Sequence, residues 1–199
     1  MMVVDGWAIP DTETHMLMSL KAGYQSVARN KFLSHVTRKG LCLDIGAHIG
    51  TWAKPMSEVF EEVICFEPVP EHIECLKYNC STLTVHEVAL GAKTSKVRIN
   101  HEKDNTGHTH VHPNGKLTVE CRTLDSYGLS PDFIKIDVEN YELKVLQGAI
   151  ETIGRSSPLI IIEQKRFDLH APQFAAKQFL EGFGYKVIER VSDDYLMKR

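Results

Sequence analysis

Leu159-Ile160-Ile161-Ile162 is an unbroken run of aliphatic side chains ending at Glu163. A strand with one wet face alternates apolar and polar residues, whereas an unbroken run needs apolar cover on both faces, as a strand inside a parallel sheet has. Runs of similar character stand upstream: Leu41-Cys42-Leu43-Asp44-Ile45, Glu62-Val63-Ile64-Cys65-Phe66-Glu67 and Phe133-Ile134-Lys135-Ile136-Asp137, with residues 84–90 reading as a further strand. Segments of helical period follow them. Trp52, Met56, Val59 and Phe60 share one helical face, and Val145, Leu146, Ala149, Ile150 and Ile153 share another. Ile73, Leu76, Lys77 and Cys80 follow Pro70, whose missing N–H suits a first helical turn. A helix over 173–181 then leads to strands at 185–189 and 195–198, which Ser192-Asp193-Asp194 would join as a hairpin. Repeated βα units of this kind predict an α/β fold, a mostly parallel seven-stranded sheet with helices on both faces. Residues 91–121 break the rhythm with stretches such as Lys96-Val97-Arg98-Ile99 and Leu117-Thr118-Val119-Glu120, which predict a β-rich insertion.

Residues 1–39 read as one or two helices, with Leu17, Leu20, Tyr24 and Val27 in register, capping the sheet or covering a ligand. With 199 residues, 43% of them hydrophobic, this cap and the α/β domain over 40–199 are expected to share one compact unit. The formal charge of -3 offers no global positive field for a phosphate backbone, so nucleic acid is not an expected partner. No apolar run approaches the ~20 residues of a bilayer crossing, so neither is a membrane. The first residues lack the basic and apolar regions of a secretory signal, which points to a cytoplasmic location. Cys42, Cys65, Cys75, Cys80 and Cys121 form no C-x-x-C pair and read as small buried hydrophobes. Oligomeric state has no signature here.

In open α/β sheets, ligands bind beyond the carboxyl ends of the strands. Those ends carry acids in this chain: Asp44, Glu67, Glu87, Asp137 with Glu139, and Glu163. The first leads into Gly46-Ala47-His48-Ile49-Gly50, where glycines let the chain turn and let a ligand approach the backbone. A dinucleotide fingerprint would have glycine where Asp44 stands. A carboxylate repels a pyrophosphate but attracts an ammonium or sulfonium, so the loop suits S-adenosylmethionine better than a dinucleotide. Glu67, at the end of the next strand, is placed to accept the hydroxyl hydrogens of a ribose. For either residue alone, a solvated turn or a helix cap is the plainer alternative.

The ordered segments DIGAHIGTWA, VICFEP, EVALG, TLDS, FIKIDVENYELKVLQGA and LIIIEQ resemble the FkbM family of S-adenosylmethionine-dependent methyltransferases, over about residues 40–165. The resemblance implies a Rossmann-like class I methyltransferase fold for the 40–199 domain. It implies that Asp44, Gly46, Ala47 and Gly50 hold the methionine moiety, Glu67 the ribose, and Glu87, Val88 and Ala89 the adenine side. His48, Thr51, Pro68 and Asp137 would complete the cofactor contacts. Family members commonly methylate hydroxyl groups of sugars or small natural products, so a small-molecule or glycan acceptor is implied. The family pattern usually has Gly directly after Val-Glu; this sequence has Asn140, which tolerates positive φ better than most residues.

An alcohol becomes a usable nucleophile when a base within hydrogen-bond reach takes its proton. Asp137 is the first choice, ahead of Glu139 and Glu163, because all three follow strands ending near the expected sulfonium. His108 is a further candidate base. His108-Thr109-His110-Val111-His112 would place its histidines on one face if extended, a spacing that could ligate a metal were a carboxylate to join them. The expectation is nevertheless no metal, with an exposed polar segment or a substrate contact there. Two other functions fit the sequence: N-methylation of an amine or amide, and a catalytically silent cofactor-binding subunit.

Overall fold

A computed structural model describes residues 1–11, 13, 20, 23, 25–101, 105–164 and 174–199. Strands β1 (Met2–Val4) and β2 (Trp7–Ile9) form an antiparallel hairpin, followed by helix α1 (Ser26–Leu33). Then come β3 (Leu41–Ile45), α2 (Ala53–Met56), β4 (Glu62–Phe66), α3 (Pro70–Asn79) and β5 (Thr84–His86). The insertion contributes β6 (Ala89–Leu90), β7 (Ser95–Asn100), β8 (His110–Val111) and β9 (Leu117–Arg122). The chain closes with β10 (Phe133–Ile136), α4 (Glu142–Gln147), α5 (Ile150–Ser156), β11 (Leu159–Glu163), α6 (Ala175–Gly182), β12 (Lys186–Val191) and β13 (Asp194–Lys198).

The main sheet has seven strands in the order β12-β13-β11-β10-β3-β4-β5. Its β11-β10-β3-β4-β5 part is parallel throughout, while β13 runs antiparallel to both its neighbours, so the sheet is mixed. The closing hairpin foreseen from the sequence supplies that reversed strand. Along β11, Ile160 and Ile162 pack into the core on one face and Leu159 and Ile161 into the core on the other. This two-sided burial is why the run lacks polar residues. All five cysteines are free and buried.

Four sequence expectations need correction. The strand expected over 84–90 splits, because Val88 N–H turns back to His86 C=O (2.9 Å) and Ala89–Leu90 leaves to pair with β9 in a second, four-stranded sheet. The helix expected from 145 to 153 is two helices, ended and restarted around Gly148. The helical face drawn through Trp52, Met56, Val59 and Phe60 belongs to a helix of one turn, with Val59 and Phe60 in the bend that follows it. The N-terminal region opens on a hairpin rather than a helix. Asn79 stitches that hairpin to the main body: its Oδ1 accepts from Ala8 N–H (2.7 Å) and its Nδ2 donates to Ala8 C=O (2.9 Å) and Ile49 C=O (2.8 Å). Leu17, Tyr24 and Gln173, which carried parts of the helix expectations, lie outside the described residues.

Candidate active site

At the carboxyl ends of β3, β4, β10 and β11 lies a cleft of about 960 Å³, counted to its open mouth. Gly46, His48, Thr51, Glu67, Pro68, Val88, Ala89, Asp137, Glu139 and Glu163, all expected from the sequence, line it. Asp44, Ala47, Gly50, Glu87 and His108 do not appear in its wall.

The loop after β3 shows why. Asp44 is fully buried, and neither carboxylate oxygen has a hydrogen-bond partner among the described residues. Its register partner on the adjacent strand is Lys135, whose Nζ stands 3.6 Å from Asp44 Oδ1 and 3.2 Å from Asp137 Oδ2. Burial raises the Asp44 pKa while Lys135 opposes the rise. Asp44 therefore lies behind the cleft wall, beside a buried lysine that also holds Asp137. Gly46, at φ 79°, is pressed against the strand-end loop: a Cβ there would stand 1.9 Å from the Asp137 carbonyl oxygen. Gly50, at φ 93°, leaves room for α3, since its Cβ would stand 2.6 Å from Cys80 Sγ.

On the Glu67 side the groups are interlocked. Glu67 is 4% exposed; Oε2 accepts from His48 N–H (2.9 Å), and Oε1 accepts from Val69 N–H (3.0 Å) and bonds His72 Nδ1 (3.1 Å). Burial opposes ionisation of Glu67, but the hydrogen bond and charge of His72, with the hydrogen bond from Val69 N–H, hold its pKa below the ordinary value. His48 itself adopts φ 51°, a left-handed conformation that histidine tolerates better than most residues. Its Nε2 lies 2.7 Å from Thr106 Oγ1, and Thr106 donates from both Oγ1 (2.5 Å) and N–H (2.8 Å) to Glu13 Oε2. Because the Thr106 hydroxyl proton goes to Glu13, His48 Nε2 is the donor to Thr106. Burial and the neighbouring His72 push the His48 pKa down to about 3, so this imidazole stays neutral.

On the Asp137 side the acids are half-buried and gathered: carboxylate oxygens of Asp137, Glu139 and Glu163 lie within 4.8 Å of one another. The turn before α4 puts Glu139 there, with Glu139 at φ 51° and Asn140 at φ 74°, the positive φ that the Asn had suggested.

The insertion forms part of the cleft wall through Ile99, Thr106, Thr109, His110 and Val111. His108 ends a 3-10 turn, Thr106–His108, and is exposed, and only His110 belongs to a strand. The three alternate histidines therefore do not project from one extended face. Glu87 is also exposed and pairs with Lys77 (2.5 Å). Sequence reasoning gave no role to Glu13, His72, Lys135 or Glu142. Lys135 had a visible signal, a charged residue inside an otherwise apolar strand, which requires a buried partner.

A Rossmann-like sheet with acids and a glycine loop at its carboxyl edge is the arrangement of α/β methyltransferases. The sequence matches the methyltransferase FkbM domain over residues 44–187, and the chain belongs to that family. It is 29% identical over 151 residues to the hexuronic acid methyltransferase AglP of Haloferax volcanii, covering 71% of this chain and 62% of that relative. Among solved structures, methyltransferase FkbM from Methylobacillus flagellatus superposes with a TM-score of 0.61 at 23% identity, over 84% of this chain and 46% of that one. The precorrin-6y C5,15-methyltransferase of Geobacter metallireducens superposes at a TM-score of 0.56 and 15% identity, over 97% of this chain and 92% of that one. These likenesses in structure speak for the fold. The chain spans less than two thirds of the length of its curated relative.

Proposed function

We propose that the protein is an S-adenosylmethionine-dependent methyltransferase that acts on a hydroxyl group of a sugar or similar small polyol. The observation that carries this reading is the division of the cleft. One end holds a buried carboxylate beside apolar walls, suited to a nucleoside. The other gathers Asp137, Glu139 and Glu163, suited to a cationic centre and to hydroxyl protons. The cofactor fits this donor set: Val88, Ala89 and Phe66 offer apolar cover for a purine, Glu67 retains acceptor capacity at Oε2 for a ribose hydroxyl, and Gly46 leaves backbone accessible beside Asp137. When bound, it would supply an electrophilic methyl group on a sulfonium.

The chain's own residues then have separable tasks. Glu67, pinned by two main-chain amides and His72, orients the nucleoside end. Asp137, held by the buried Lys135, accepts the proton of the acceptor hydroxyl as its oxygen is methylated. Glu139 and Glu163 stand beside it as hydroxyl acceptors. A sugar acceptor gains support from the hexuronic acid methyltransferase relative.

Calorimetry with S-adenosylhomocysteine and with NAD tests the cofactor; tighter binding of NAD would overturn it. Methyl-labelled S-adenosylmethionine, incubated with a panel of glucosides, glucuronides and amino sugars, tests the acceptor. Label in an ether product supports the reading, whereas label confined to amines would favour N-methylation.

A further inference from the structure

The turn between β10 and α4 contains a device that methyl transfer alone does not explain. Glu139 and Asn140 are consecutive left-handed residues, φ 51° and 74°, and neither is glycine. Such backbone is disfavoured for residues with a Cβ and persists where surrounding groups over-determine it. Here the determinant is Glu142. Its side chain is buried, at 2% exposure, and its Oε1 accepts from both Val138 N–H (3.1 Å) and Asn140 N–H (3.2 Å). Main-chain amides that converge on one point form a nest for an anion or a carbonyl oxygen. Burying a carboxyl is costly unless it is well bonded, and these two amides, together with the Glu142 main-chain N–H, are bonds that hold it. The same turn carries Glu139 back towards the end of β11, where its carboxylate meets Asp137 and Glu163 within 4.8 Å.

We propose that Glu142 is a positioning residue for the transfer reaction: by holding Glu139 and Asn140 left-handed through the amides of Val138 and Asn140, it sets the Glu139 carboxylate against Asp137 and Glu163 at the acceptor end of the cleft. This rests on the reading of that end as the methyl-transfer site. The device needs an acceptor oxygen more than a charge. Burial, the first cause, raises the Glu142 pKa to about 7, with Asp137 adding to the rise, so the neutral acid is well populated at neutral pH. Glu142→Gln keeps a carbonyl oxygen for the two amides, while Glu142→Ala leaves both without a partner.

The test compares wild type, Glu142→Ala and Glu142→Gln for turnover on the acceptor panel, for S-adenosylhomocysteine affinity by calorimetry, and for amide exchange at Val138 and Asn140 by NMR. Misplacement of a reacting group by about 1 Å costs up to about 10²-fold, so Glu142→Ala should lower kcat about tenfold or more. Its ligand affinity should stay within about threefold, and Glu142→Gln should stay within about threefold of wild type in every readout. Fast exchange at both amides is expected in the alanine variant alone. Wild-type turnover in Glu142→Ala overturns the proposal, as does an equal loss of kcat and affinity. A tenfold loss in Glu142→Gln overturns it even if the alanine variant does not fold. If wild type binds S-adenosylhomocysteine but methylates nothing in the panel, the sugar reading fails instead, and the amide exchange still decides whether Glu142 holds the turn.

Discussion

The two ends of the cleft are built from the same kind of residue in opposite ways. Glu67 has Oε1 bonded to Val69 N–H and His72 and Oε2 fixed by one bond from His48 N–H, and its neighbours continue through Thr106 to Glu13 from distant parts of the chain. Asp137, Glu139 and Glu163 stand half-buried and face one another, with the buried Lys135 bonded to Asp137. An end that only has to recognise a ligand gains from being preassembled, since fixed dipoles cost no reorganisation on binding. On the proposed reading the other end takes up a proton, which needs a basic oxygen within reach of the acceptor hydroxyl, and the part-exposed Asp137 in the cleft wall offers one.

The largest expected effect tests that second statement. Asp137→Asn keeps the shape of the side chain but removes its basicity, so turnover should fall by roughly 10²–10⁴ with little change in S-adenosylhomocysteine affinity. If affinity collapses along with turnover, Asp137 belongs to the binding end and the contrast between the two ends dissolves. Glu67→Ala should do the reverse. Loss of a charge-assisted bond to a ribose hydroxyl, worth roughly 1.5–3 kcal/mol, should weaken S-adenosylhomocysteine by about ten- to a hundredfold, as calorimetry would show. An unchanged affinity would move the nucleoside elsewhere in the cleft.

A smaller effect separates the ends by the sign of their pH dependence. His48 titrates at about 3 in the fold against an ordinary 6.5. Its share of stability is complete above about 6.5 and is lost as pH falls, by about 1.4 kcal/mol per unit. Glu142 titrates at about 7 against an ordinary 4.5, so its share is complete below about 4.5 and is lost as pH rises through 7. Between those ordinary values the two slopes oppose each other. Relative to wild type, His48→Asn should gain stability as pH falls from 6.5 to 4.5, and Glu142→Gln should gain as it rises. Asn suits the left-handed backbone at position 48, which keeps strain out of the comparison. Urea midpoints at three pH values across that window would show it, and parallel curves for the two variants would remove the electrostatic distinction.

What could be read early and what could not divides along a related line. Leu41–Ile45 and Leu159–Glu163 have the bounds that their apolar runs suggest, because burial on both faces leaves a continuous mark in the sequence. The strand expected over 84–90 failed because the chain changes sheets at Val88, and apolar residues on either side of such a step read as one run. At the site, Glu67, Asp137 and Glu163 were legible as acids at strand ends, and the cleft includes them. Asp44 was legible too, but not its place behind the wall, which depends on Lys135 from a strand about ninety residues away pairing alongside it.

Side-chain alternation and spacing within a few residues suffice to mark the central strands of the parallel core, the glycine loop after the first of them and the acids at the strand ends. It takes the packing of distant segments to close Glu13 and Thr106 on His48, to set Glu142 under the turn before α4, and to bring the expected grouping of Glu139 and Glu163 with Asp137 within 4.8 Å. The reason is physical: hydrogen bonds and charges act over a few ångströms in space, and no local periodicity records which distant segments the packing of a hydrophobic core will bring within that reach.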